Sequence, residues 1–151
     1  MIPKPPTTPT SAMTVDLEDF HSILLRWKFD RDGSPSDEVV ENTQDLLGLL
    51  AEFDVRATFF ILGEVARTHP ALIKQVAAGG HELGVHGFKH FWVHTMTSAE
   101  FRREVEPAKK LIEDLTGVRV LGHRAPAFSL TLAMTWAFEV LAETGFRYDS
   151  S

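Results

Sequence analysis

The sequence contains no cysteine among its 151 residues. Disulfide bonds and thiolate chemistry are therefore excluded, and any metal ligands must be histidine, aspartate or glutamate. Long apolar runs are also missing, because the run around residues 58–62 is far shorter than the roughly 20 residues that cross a bilayer. Positive charge is scarce as well, with 15 Lys and Arg against 21 Asp and Glu and a formal net charge of −6. This balance argues against a nucleic-acid partner, whose phosphates require clustered basic residues.

The first twelve residues, 1–12, are rich in proline and threonine and contain no apolar segment like that of a secretory signal. We interpret them as a disordered arm, because such a composition offers little apolar surface to bury. The lack of cysteine and of a visible signal favours a cytoplasmic location. Residues 13–151 have the length of one domain, and the 44% apolar content of the chain is enough for a core.

Strand-like and helical segments alternate after the arm. Runs rich in β-branched and aromatic residues, or with alternating polarity, predict strands at 13–17, 56–62, 81–86, 118–122 and from 146 onward. Apolar positions at helical spacing predict helices at 36–53, 70–78, 97–116 and 132–144. Ser36 is expected to cap the first helix, and Thr97 and Glu100 form a capping box for the third. The alternation predicts an α/β fold with a parallel sheet, in which functional residues gather at the carboxyl ends of strands.

Two histidines, His86 and His90, follow the third predicted strand at a spacing of four residues. On a helical turn this spacing brings both rings to one face, where they can bind one metal ion. The spacing is a weak signal in a chain with seven histidines, and two surface histidines on a loop are the alternative. The position after a strand that contains Gly84 favours the metal site, since glycine lets the backbone turn tightly.

The first predicted strand leads into an acidic segment that contains Asp16, Glu18 and Asp19. Alternate residues of a strand share a face, so Asp16 and Glu18 are expected to point together. Two neighbouring carboxylates repel unless one is protonated or bound to a metal. The pair therefore suits a site in which one carboxylate binds metal and the other acts as a base. An acidic loop after an edge strand is the alternative.

A third polar segment, residues 122–127, follows the fourth predicted strand. Arg124 can orient a carboxylate through a bidentate pair. Pro126 can hold the backbone so that the following N–H, that of Ala127, points at a developing oxyanion. A plain turn between strand and loop is the alternative for this segment taken alone.

The remaining histidines and most aromatic residues are assigned no chemical role. The histidines without a partner at a telling spacing are His21, His69, His94 and His123. The aromatic residues expected in the core are Trp27, Phe59, Phe60, Trp136 and Phe138. An exposed Phe88 or Trp92 would be able to stack on a sugar.

Taken together and in this order, the polar segments resemble the polysaccharide deacetylase family, the NodB homology domain of carbohydrate esterase family four. The resemblance covers residues 13–151 and rests on TVDLED, RATFFILGEVA, HPALIKQVAAGGHELGVHGFKH, GHRAPAF and GFRYDSS. The combination of TFFILG with GHELGVHGFKH is highly specific for the family. The opening TVDLEDFH and the turn RAPAFS are most similar to a subgroup linked to bacterial exopolysaccharide and exosortase gene systems.

The resemblance implies roles for several residues. Asp16 aligns with the catalytic base of the family, and His86 and His90 align with its two metal-binding histidines. Many members have adjacent aspartates, whereas leucine follows Asp16 here, so Glu18 is the expected third ligand with Asp19 in reserve.

The segment 122–127 also acquires roles from the resemblance. Arg124 aligns with the arginine that orients the base. Ala127, after Pro126, stands where many members have an aromatic residue whose backbone N–H helps to bind the oxyanion. The backbone donor survives this change, while the aromatic wall is lost.

The implied function is metal-dependent removal of N-acetyl groups from a polysaccharide, on a distorted (β/α) barrel. Zinc is the expected cofactor because it suits two imidazoles and a carboxylate with open positions, and cobalt or iron would fit the same ligands. The alternatives are an allantoinase-like amide hydrolase and a non-catalytic carbohydrate-binding fragment. The later family motifs, with their general-acid histidine, do not occur before Ser151. We therefore expect a truncated barrel with an exposed edge, low stability and little activity by itself.

Overall fold

A computed structural model of the chain describes residues 11–151, so the first ten residues of the predicted arm lie outside the described residues. The strands are β1 (Met13–Leu17), β2 (Ala57–Ile61), β3 (Glu82–Val85), β4 (Gly122–His123) and β5 (Tyr148–Asp149). The helices are α1 (Phe20–Phe29), α2 (Glu38–Glu52), α3 (Gly63–Thr68), α4 (Pro70–Ala78), α5 (Ser98–Thr116) and α6 (Thr135–Glu143). Two single 3₁₀ turns span Val93–Thr95 and Pro126–Phe128. None of the described helices combines the length and apolar character that a bilayer crossing demands.

The five strands form one sheet in chain order, and every neighbouring pair is parallel. A doubly wound sheet would reverse its strand order at the ligand crevice, whereas consecutive (β/α) units in the wall of a barrel keep it. The observed order is therefore that of a barrel wall. The prediction of an α/β fold with a parallel sheet is confirmed.

The core lies on both faces of β2. Phe59 and Ile61 on one face and Phe60 on the other are almost completely buried. On the outer side, α5 packs against α3, α4 and α6 through a stripe of Phe101, Val105, Ala108 and Ile112. The capping box predicted for α5 is present, and Gly117 ends this helix in the left-handed conformation with a φ of 71°.

The fourth strand is shorter than predicted and begins at the last residue of the predicted range. The backbone of Val120 is engaged by α5 instead of by the sheet, because Lys109 Nζ donates to its carbonyl oxygen and its N–H donates to Glu113 Oε1. Only Gly122 and His123 pair with β3. The carboxyl end of β4 therefore lies directly before Arg124.

Helices α1 and α3 were not predicted, and the predicted cap of α2 is wrong. The N-cap position of α2 is Asp37, which makes no side-chain capping bond. Ser36 Oγ instead donates to Asp19 Oδ1 at 2.7 Å. The other carboxylate oxygen of Asp19 accepts from the N–H of Ser22 at 2.7 Å, so Asp19 caps α1.

Candidate active site

Polar side chains from three separate segments meet at the carboxyl edge of the sheet. Glu18, His86 and Arg124 each come directly after a strand, namely β1, β3 and β4. The parallel ladder continues one residue past β3 and β4, because the His86 N–H donates to Ile61 O and the Arg124 N–H donates to Val85 O. The sheet itself therefore sets the position of these residues.

Three ligand atoms converge at this edge. The Nε2 atoms of His90 and His86 lie 2.9 Å and 3.4 Å from Glu18 Oε2, and the three ligand atoms all lie within 4.8 Å of one another. Two atoms bound at about 2.1 Å to one tetrahedral zinc ion lie about 3.4 Å apart, so the spacing suits a shared cation. Glu18 Oε2 is buried and makes no hydrogen bond within residues 11–151. The donor set and the unpartnered carboxylate oxygen fit a divalent metal.

The protonation states of this cluster also suit a metal. Burial opposes ionisation of Glu18, but hydrogen bonding and positive charge from protonated imidazoles of His86 and His90 outweigh burial and lower its pKa to about 2. His86 Nδ1 lies 2.9 Å from the carbonyl oxygen of Arg124, which can only accept a hydrogen bond. The proton of the neutral ring is therefore on Nδ1, and Nε2 presents its lone pair to the cluster.

The segment between the two histidines is not the helical turn that the spacing predicted. Gly87 has a φ of 79° and His90 a φ of 61°, so the chain turns through two left-handed residues. Left-handed backbone is unfavourable for a residue with a Cβ atom, and such a residue persists when surrounding contacts hold it. The two histidine rings nevertheless meet, with centroids 5.3 Å apart.

The contacts that hold this turn come from distant parts of the chain. Glu104 Oε2, on α5, accepts hydrogen bonds from the N–H groups of Phe88 and Lys89, each at 2.9 Å. Arg26 Nη1, on α1, donates to the carbonyl oxygen of Lys89 at 2.5 Å, and its Nη2 pairs at 2.7 Å with the buried Glu64. Sequence reasoning missed these three side chains, and no local spacing marks them.

Asp16 lies beside the cluster and is held by Arg124. Arg124 Nη1 donates to Asp16 Oδ1 at 2.8 Å, while Asp16 Oδ2 lies 4.0 Å from His86 Nε2. The guanidinium of Arg124 also contacts Thr14 and Ser150, and its Cζ lies 4.3 Å from the centre of the Phe60 ring. One carboxylate oxygen is thereby fixed, by a single hydrogen bond from Arg124 instead of the predicted bidentate pair, and the other oxygen faces the cluster.

The other candidate residues lie outside the three-atom cluster. The reserve ligand Asp19 does not join it, because one of its oxygens caps α1 and the other accepts a hydrogen bond from Ser36, before α2. Pro126 and Ala127 lie in the 3₁₀ turn after Arg124, where Ala127 has a φ of 51°. A Cβ atom added to Gly87 would lie 3.4 Å from Pro126, so this turn adjoins the loop of the histidines.

A buried hydrogen-bonded pair of side chains next to the site was not anticipated. His123 was assigned no partner, but its Nδ1 lies 2.7 Å from Asp149 Oδ1 and its side chain is fully buried. Burial lowers the pKa of His123 although Asp149 opposes this effect. The two residues are 26 positions apart, which explains why no spacing pattern revealed them.

Comparison with known proteins places this geometry in a family. The family model described as polysaccharide deacetylase matches residues 27–148, which include both histidines and Arg124 but begin after Asp16 and Glu18. The peptidoglycan deacetylase of Helicobacter pylori is 32% identical over 106 residues, covering 70% of this chain and 35% of that protein. The chain thus spans about a third of the length of this curated relative.

Solved structures agree with this assignment. A structure from Mycobacterium smegmatis, classed with the polysaccharide deacetylases, has a TM-score of 0.73 and 30% identity and covers 95% of this chain and 54% of that one. A carbohydrate esterase family 4 pseudoenzyme from Bacillus anthracis has a TM-score of 0.69 and 20% identity, with coverage of 91% and 41%, and shows the shared fold alone. Because the family model matches most of its length, this chain belongs to the polysaccharide deacetylase family.

Proposed function

We propose that the chain acts in a divalent-metal-dependent hydrolase that removes N-acetyl groups from a polysaccharide. The observation that carries the proposal is the convergence of Glu18, His86 and His90 beside an Asp16 that Arg124 holds. A metal site next to a fixed carboxylate is what hydrolysis of an amide by an activated water requires. The peptidoglycan deacetylase relative supports an N-acetylated glycan as the class of substrate.

Glu18, His86 and His90 are the residues that would hold the metal. A bound divalent cation supplies Lewis acidity to the water and to the amide carbonyl of the reaction. Two imidazoles and one carboxylate favour zinc, and cobalt or iron(II) suit the same ligands. Arg124 supports the arrangement through its carbonyl oxygen, which fixes the proton of His86 on Nδ1.

Asp16 is the proposed base. Its Oδ2 atom faces the cluster and takes a proton from the attacking water, while Oδ1 remains bound to Arg124. The cation of Arg124 keeps Asp16 in one orientation, so the carboxylate need not reorganise when the proton moves. The N–H of Ala127, in the turn that begins at Pro126, is the proposed donor to the oxyanion.

Metal content and acetate release from an N-acetylated oligosaccharide test the proposal together. We expect the zinc-loaded chain to retain about one ion, and we expect His86→Ala to lose it because one of three ligands is removed. Asp16→Asn should keep the metal yet slow acetate release by roughly 10²–10⁴-fold, since only proton transfer is impaired. His21→Ala, at an exposed histidine on α1, is the matched control.

In a protein whose wild type releases acetate, the proposal fails if this release persists at the wild-type rate in both Asp16→Asn and His86→Ala. Assays with allantoin beside the oligosaccharide decide the class of substrate. Turnover of allantoin alone would keep the roles of the residues but move the reaction to cyclic ureides.

A further inference from the structure

A cluster of exposed aromatic side chains lies next to His90. Trp27, on α1, is 48% exposed, and Phe91 and Trp92, which directly follow His90, are 40% and 39% exposed. Trp27 was expected in the core, and this prediction is wrong. Its ring lies 5.3 Å from the ring of His90 and 4.9 Å from that of Trp92. The cluster is therefore continuous with the proposed metal site.

These side chains line a depression of about 360 Å³, together with Thr95. This volume lies within the range of small-ligand sites, about 300–1,000 Å³, which are lined mainly by aromatic groups with a few polar ones. The Thr95 hydroxyl donates to the carbonyl oxygen of Trp92 at 2.7 Å, which leaves its own lone pairs free to accept. Exposed apolar surface with a polar rim is typical of ligand-binding grooves.

Neighbouring side chains hold the aromatic cluster of Trp27, Phe91 and Trp92 in place. The buried guanidinium of Arg26 lies 5.7 Å from the centre of the Phe91 ring, and Glu64 and the carbonyl oxygen of Lys89 fix this guanidinium. Trp92 lies between Trp27, whose ring is tilted by 76° to it, and His94. Trp27 is the most exposed member, so its ring offers the largest free surface. Rings held this way lose little conformational entropy when a ligand binds.

We propose that Trp27 and Trp92 form a sugar-binding subsite that takes a pyranose ring of the glycan next to the one that carries the reacting N-acetyl group. This inference rests on the proposed function. A pyranose has apolar C–H faces and a polar hydroxyl edge, which match an aromatic surface with the Thr95 hydroxyl at its rim. Because the ring of Trp27 lies 5.3 Å from that of His90, neighbouring sugars of one glycan chain can reach this surface and the metal site together.

Tryptophan fluorescence provides the binding assay. The chain has three tryptophans, and Trp136 packs on Phe101 at 5.9 Å, away from this depression. Titration with chitotetraose should change the emission of Trp27 and Trp92, and calorimetry gives the affinity of the variants that lack one of them. We expect Trp27→Ala and Trp92→Ala to bind about tenfold more weakly and Trp27→Phe to lose less.

The control is Phe53→Ala, which removes another exposed aromatic residue, at the end of α2. The affinity of every protein for chitotetraose is measured without metal and again in a His86→Ala background. Binding is thereby separated from catalysis. Circular dichroism checks whether each of these variants is folded.

The subsite is overturned if Trp27→Ala and Trp92→Ala bind chitotetraose with wild-type affinity. It is also overturned if the wild type does not bind chitotetraose. Both outcomes hold whatever the assay of acetate release shows. Binding that depends on Trp27 in a protein that releases no acetate supports the subsite while the proposed hydrolase fails. In an active protein, the subsite predicts a raised KM with little change of kcat in Trp27→Phe.

Discussion

Removing the carboxylate of Glu104 should weaken metal binding although Glu104 is not a ligand. Its Oε2 atom accepts hydrogen bonds from the N–H groups of Phe88 and Lys89, in the turn that separates His86 from His90. Without this acceptor the turn loses the contact that holds Phe88 and Lys89 toward α5. The position of His90, which has a left-handed backbone, then depends on the remaining bonds to the turn. Arg26 Nη1 donates to Lys89 O, and the N–H groups of Gly63 and Glu64 donate to Gly87 O and Phe88 O.

The magnitude follows from two charge-assisted hydrogen bonds. Each is worth about 1.5–3 kcal/mol when buried, but Glu104 is half-exposed, so water can partly replace it. We expect Glu104→Ala to lower the free energy of unfolding by about 1–3 kcal/mol. Residues that support metal ligands typically change affinity by about 10–100-fold, and we expect the lower end because Arg26 still binds the turn. Glu104→Gln keeps an acceptor oxygen without its charge and should lose about half of the effect.

Competition with a chromophoric chelator measures the zinc affinity, and thermal unfolding measures stability. Glu106→Ala, an exposed glutamate two residues further along α5, is the matched control for the loss of a negative charge. Equal zinc affinities in Glu104→Ala and Glu106→Ala would refute the reasoning that this turn positions His90. A zinc affinity that is lowered in Glu104→Ala and partly restored in Glu104→Gln would support this reasoning.

Two further predictions concern stability. Gly84→Ala should destabilise the fold by about 1–3 kcal/mol, because its Cβ atom would lie 2.5 Å from the Phe60 ring. Gly48→Ala, in α2 with open space around it, should instead stabilise by about 0.5–1 kcal/mol, and equal melting temperatures would contradict the packing argument. Burial lowers the folded-state pKa of His123 below 6.5, so its contribution to stability is complete above pH 6.5 and is lost as pH falls through the folded pKa. His123→Asn should therefore flatten the fall in melting temperature between pH 7.5 and 5.5; an unchanged slope would exclude His123 as its source.

The ligands of the candidate site were predictable because they lie at the ends of strands. Strand propensity identified β1 and β3, and parallel strands bring their carboxyl ends to one edge. Residues directly after those strands, Glu18 and His86, could therefore be placed together before any contact was known. Asp19 follows the same strand, but its tie to Ser36 depends on the path of the loop before α2, which no local pattern encodes.

The supports of the site were not predictable from sequence. Glu64 and Arg26 are 38 residues apart, and Glu104 binds a turn 15 and 16 residues away. Such pairs have no periodic spacing, and single glutamates and arginines on amphipathic helices are usually solvated. The spacing of His86 and His90 correctly predicted that their rings lie close together. The predicted cause was wrong, because left-handed residues and not a helical turn bring the rings together.

Arg124 contacts both the histidine ligand His86 and the proposed base Asp16, the first through its backbone and the second through its side chain. Its carbonyl oxygen accepts the proton of His86 Nδ1, and its guanidinium holds Asp16. A change of its side chain alters only the second contact, whereas displacement of the short β4 would disturb both. The C-terminal segment opposes such displacement, because the Ser150 N–H donates to His123 O and the Ala125 N–H donates to Ser151 Oγ. Residues 149–151 thus stabilise the orientation of both base and ligand although they supply neither.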